Sequence, residues 1–137
     1  MCIRDSLGAS DSTTRTADET QIALFWAGST GTITPAGIWN IIAQTVSQSQ
    51  GLSLSANVRM FAVLNTALAD AAIADWDVKY TYGTWRPIQA VQDANSVNSA
   101  ATSDPGWIPL LITPAFPEYA AGHATFSMAG AVVLRCV

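Results

Sequence analysis

At 137 residues the chain can bury one core and is short for more than one. Half of its residues are hydrophobic and 12% are charged, with a net charge of −4, so no basic patch exists to neutralise a row of phosphates and nucleic acid is excluded as a partner. No run of about twenty apolar residues marks a membrane span. The nearest stretch, Ala124 to Val137, is short, carries Arg135 and reads as a buried core helix.

In chain order, Met1-Cys2-Ile3-Arg4-Asp5 resembles the translation of a sequencing-library adapter. Residues 1–17 are therefore expected to be an adapter scar and linker, and residues 18–137 a partial helical domain. Residues 7–17 are small and polar and read as loop. Asp18-Glu19-Thr20 ahead of an apolar run predicts a helix start, and that helix ends near Gly28. A Gly, Thr and Pro stretch through Pro35 is loop. A second helix is predicted from Ala36 to Gln50, on the spacing of Ile38, Ile41, Ile42, Thr45 and Val46, with Gly51 as its stop.

The third predicted helix is the longest, from Ala56 to about Tyr80 with Ser55 as N-cap. Its stripe is Phe61, Leu64, Leu68, Ala72 and Trp76, widened by Val58 and Ile73. Gly83 breaks it, and Arg86-Pro87 opens a short fourth helix with Pro87 at its tolerated first position. Residues 94–117 read as a long, proline-bearing loop, a kind of segment that often lines functional sites. A last helix starts near Gly122 and runs to the chain end. The fold class is all-α, a helical bundle that is incomplete at its C-terminal end. Val137 stops inside an apolar, helix-like run, so the chain is expected to be a piece of a longer gene product. Cys2 and Cys136 have no metal-ligand spacing, and nothing supports a disulfide between them.

The chemistry concentrates in two segments. Lys79, the one lysine, stands seven positions before Arg86-Pro87, and His123, the one histidine, follows Gly122 in Phe116-Pro117-Glu118-Tyr119-Ala120-Ala121-Gly122-His123. Lysine supplies a point charge and arginine a planar fork to a tetrahedral oxyanion. A glycine at a helix start exposes backbone N–H groups to an anion, and a neighbouring histidine can exchange a proton near neutral pH. Against this stands a plainer possibility for each residue. Lys79 could pair with Asp75 at i, i+4 on a helix face, Arg86 could be solvated, and His123 could be structural. Asp75 and Asp77 resemble a carboxylate pair but read equally well as helix-surface charges, and no base is in view to activate Thr125 or Ser127.

Lys79, Arg86-Pro87 and Ala120-Ala121-Gly122-His123 resemble two of the three motifs of the superfamily of vanadium-dependent haloperoxidases and type 2 phosphatidic acid phosphatases. Ala121 stands where the family usually has serine. The third motif of that superfamily, with a second arginine and another histidine, is absent from this sequence. The resemblance implies that Lys79, Arg86 and Gly122 hold vanadate, or phosphate in a phosphatase, and that His123 acts as acid/base partner. It implies a small oxyanion and a small-molecule substrate as partners. The histidine of the missing motif bonds to vanadium in the peroxidases and attacks phosphorus in the phosphatases. The chain alone is therefore expected to complete neither reaction. A haloperoxidase branch is the first reading, a soluble acid phosphatase the second, and a non-catalytic helical interaction module the third. A homo-oligomer and an extracytoplasmic place stay open.

Overall fold

The computed structural model describes residues 6–28 and 31–137. The expected adapter remnant Met1–Asp5 and the loop residues Ser29 and Thr30 lie outside them. The described elements are α1 (Ala17–Trp26), α2 (Thr34–Gln50), α3 (Leu54–Tyr82), α4 (Pro87–Gln92), α5 (Ala94–Val97) and α6 (Gly122–Leu134). Among the described residues no strand forms beyond an isolated antiparallel bridge between Ala9 and Pro109. The all-α expectation holds. None of these helices is long and apolar enough to cross a membrane.

The described residues fall into two compact units, one comprising those through Ala27 with Tyr82–Tyr119, the other Gly28–Thr81 with Ala120–Val137. The second unit holds α2, almost all of α3, and α6. Its core is Ala43, Met60, Leu64 and Leu68, against which Trp39, Phe61, Phe126 and Val133 pack. Gly130 on α6 is required there, because a Cβ at that position would come within 2.4 Å of the Trp39 ring of α2. Gly51 closes α2 in the left-handed region at φ 59°, with Leu52 N–H returning to the Ser47 carbonyl at 3.1 Å.

Two sequence expectations for α3 shift. The helix begins at Leu54, because the Ser53 hydroxyl, not that of Ser55, accepts the Ala56 N–H at 3.3 Å. Val58 and Ile73 do not widen the buried stripe; they are exposed, and Met60 is buried instead. At about 100° per residue, a stripe read as i, i+3, i+4 drifts around a helix of this length, so its edges are misjudged first.

The first unit is built from α1, α4, α5 and loops. Ala9, Val91 and Trp107 form its core with Ile88 beside them. The small polar segment before α1 reads as loop in the sequence, yet residues 6–8 are helical and the stretch is tied down. Ser10 N–H donates to Ile108 O at 2.8 Å, Leu110 N–H to Gly8 O at 2.9 Å, and Arg15 Nη1 to the carbonyls of Leu7 and Ala9, each at 2.6 Å. Thr16 caps α1 in a reciprocal box: its hydroxyl accepts Glu19 N–H at 3.2 Å and its own N–H donates to Glu19 Oε2 at 2.8 Å. The predicted 94–117 loop carries the short α5. It is anchored by Asp104 N–H on Val91 O at 3.0 Å and by Gln92 Nε2 on Trp107 O at 2.9 Å.

Candidate functional site

Lys79 lies three residues before the end of α3 and is 1% exposed. A buried ammonium is costly unless partners replace its hydration. Lys79 Nζ donates to the Ala120 carbonyl, lies 3.6 Å from Asp75 Oδ2 and stands 5.8 Å from the Trp76 ring centroid. The i, i+4 pairing with Asp75 is present, but it is not a solvated helix-face pair. Asp75 is 2% exposed, so its reading as a surface charge is corrected; Asp77 is exposed. The reason is α6, whose first turn covers that end of α3. Thr125 Oγ1 lies 3.3 Å from Asp75 Oδ1 and 3.1 Å from Ala121 O, and a Cβ on Gly122 would stand 3.3 Å from Asp75 Oδ2. Thr125 therefore has a carboxylate beside it that sequence reasoning did not see.

Gly122 is the first residue of α6, and its N-cap, Ala121, supplies no side-chain cap. The positive end of the helix dipole consequently meets Asp75 and Lys79 with no hydroxyl or carboxamide from the cap position. His123 follows on the first turn and is exposed. Lys79, Gly122 and His123 thus share one unit, with Lys79 and Gly122 both drawn to Asp75.

Arg86 belongs to the other unit, where it is the N-cap of α4. Its own N–H donates to Gln89 Oε1 at 2.9 Å. Its guanidinium is locked on three sides. Nε donates to Phe116 O at 2.6 Å, Nη1 to Glu118 Oε2 at 2.8 Å, and the Phe116 ring lies 4.5 Å below. Nη2 is buried and has no hydrogen-bond partner. Arg86 borders a cleft of about 480 Å³ whose walls include Thr84, Trp85, Ile88, Phe116 and Pro117. Glu118 and Phe116 were visible in the sequence only as neighbours of the histidine motif. Nothing in their spacing announces that they bind a residue thirty positions earlier.

A family model described as the VCPO second helical-bundle domain matches residues 59–137. The chain belongs to the vanadium-dependent haloperoxidase superfamily. It is 32% identical over 139 residues to the vanadium chloroperoxidase of Curvularia inaequalis, a match that covers 86% of this chain and 22% of that protein. No solved structure matches the chain significantly. Taken unit by unit, the groups present have a chemistry that suits a tetrahedral oxyanion. They offer a buried ammonium, a guanidinium whose buried Nη2 lacks an acceptor, and a helix start without a side-chain cap.

Proposed function

We propose that this chain is the part of a vanadium-dependent haloperoxidase that carries two of its oxyanion-binding motifs. Lys79, Arg86 and Gly122 hold the vanadate oxygens and His123 is the acid/base partner. The observation that carries the reading is the buried Lys79 ammonium at the uncapped start of α6, in a chain one-third identical to a vanadium chloroperoxidase. Vanadate, when bound, supplies the centre at which peroxide oxidises halide. The chain's own residues do the rest. Lys79 and Arg86 offset the oxyanion's charge, the Gly122 N–H fixes one oxygen, and the exposed His123 takes up or releases a proton at its imidazole. Phosphate would use the same donors, so a soluble acid phosphatase differs in reaction and not in this site.

Vanadate titration followed by calorimetry tests the binding half. Arg86→Ala and Lys79→Ala are each expected to lower vanadate affinity at least about tenfold, the loss of one charge-assisted contact. Circular dichroism separates lost binding from lost fold. Equal affinity in wild type and both variants overturns the assignment. The intact protein, assayed for bromide oxidation with vanadate and peroxide and for phosphomonoester hydrolysis, decides the reaction. Hydrolysis without halide oxidation would make the protein a phosphatase. The small-molecule substrate and any self-association belong to the same proposal.

A further inference from the structure

The carboxylate of Asp75 is more than the partner of Lys79. Oδ1 faces the Thr125 hydroxyl at 3.3 Å. Oδ2 is buried, lies 3.6 Å from Lys79 Nζ and 3.3 Å from the place of a Gly122 Cβ, and has no hydrogen-bond partner. A buried carboxylate oxygen without a donor is unfavourable, and this one is directed at the helix start and ammonium assigned to the oxyanion. We propose that Asp75 is a specificity-determining residue: Oδ2 accepts the O–H of a protonated tetrahedral oxyanion held at Lys79 and Gly122. The inference rests on the functional reading above.

The chemistry follows from the inventory of donors. An ionised carboxylate accepts and cannot donate. Phosphate and vanadate keep at least one proton at neutral pH and can donate an O–H to Oδ2. Sulfate keeps none, so it would place a bare oxygen against a like charge in a buried setting. Lys79 already balances one negative charge, which further favours an entering anion that carries a proton over one that does not. Rejection by an unpaired polar group is the more discriminating kind of selectivity.

Calorimetric titration of this chain with inorganic phosphate and with sulfate, at one neutral pH and one ionic strength, tests it. The wild type is expected to bind phosphate at least about tenfold more tightly than sulfate, the ratio set by one hydrogen bond gained against one repulsion. In Asp75→Asn, which keeps the shape and an acceptor for Thr125 but carries no charge, sulfate binding should strengthen and the ratio fall several-fold. Equal wild-type affinity for the two anions, or an unchanged ratio in the variant, overturns the proposal. Should Asp75→Asn not fold by circular dichroism, the wild-type ratio decides alone. Arg86→Ala separates the two levels. If it binds phosphate as well as wild type does, or if wild type binds neither anion, the functional reading fails and takes this inference with it. If Arg86→Ala loses phosphate while wild type shows no preference over sulfate, only the role of Asp75 fails.

Discussion

Lys79 and Arg86 face the same physical problem and meet it differently. Arg86 is part-buried and paired with Glu118, whose side chain keeps 32% of its exposure. Removing the arginine leaves a carboxylate that water can still reach. Lys79 and Asp75 are both closed off from water, with side-chain exposures of 2% and 0%. Breaking such a pair leaves a buried, uncompensated charge, at a cost of about 3–5 kcal/mol. Lys79→Ala is therefore expected to lose roughly that much in urea unfolding, whereas Arg86→Ala should lose clearly less, nearer the value of a partly exposed pair. The double variant Lys79→Met with Asp75→Asn should recover a large part of the loss. A Lys79→Ala penalty below about 1 kcal/mol would show the pair to be solvated and would sink the argument. Lysine's exceptional position was legible because it is the one lysine of an apolar chain and lies on an apolar stripe. Its partner was also legible by the i, i+4 rule. The burial of that partner was not, because α6, which covers it, starts more than forty residues later.

At the level of elements, stops were easier to read than starts. Gly51 and Gly83 both adopt positive φ, which only glycine reaches cheaply, and both end helices where the sequence says they should. Starts depend on which of several hydroxyls turns inward, and Ser53 won over Ser55. The tie between residues 8–10 and 108–110 left no local trace, since its hydrogen bonds are between backbone groups. Two predictions belong here. The Thr16 backbone N–H, and then its hydroxyl, hold the Glu19 carboxyl below its usual range; burial opposes them, and Arg15 adds a lesser lowering. A carboxyl lowered in the folded state stabilises above its unfolded value, near 4.3, and that contribution disappears as pH falls through the folded value. The α1 amides should accordingly lose hydrogen-exchange protection as pH falls below that unfolded value, after correction for intrinsic rates, and Glu19→Gln should remove that pH dependence. Protection that is flat with pH in the wild type would rule the cap out as its source. The second prediction concerns Gly130. Alanine there would ordinarily favour the helix, but its Cβ meets the Trp39 ring at 2.4 Å. Overpacking should win and cost about 1–3 kcal/mol in chemical denaturation. A stabilised Gly130→Ala would mean that α2 and α6 have room to part.

The distribution of apolar residues over the molecule carries the remaining consequence. No residue of α1 is buried, and Ile22, Leu24 and Phe25 are each at least half exposed. A ten-residue helix has little stability of its own in water, and the Thr16 box supplies only a part of what it needs. In the other unit Val58 and Ile73 of α3 and Met128 of α6 are each more than 60% exposed. Soluble monomers scatter single apolar residues over their surfaces, but helices that leave several together favour a covering partner. At a net charge of −4 there is little repulsion to oppose contact between copies. The chain should therefore self-associate, and sedimentation velocity should show a mean mass that rises with concentration. Added salt should strengthen the association, because it screens the residual repulsion and leaves the apolar attraction intact. Phe25→Lys and Ile73→Lys, placed in different units, should each lower the association while leaving helix content unchanged. A mass that stays at one chain across the concentration range, with or without salt, would mean that these faces are tolerated bare. A drop in mass for only one variant would assign the association to the unit that carries it.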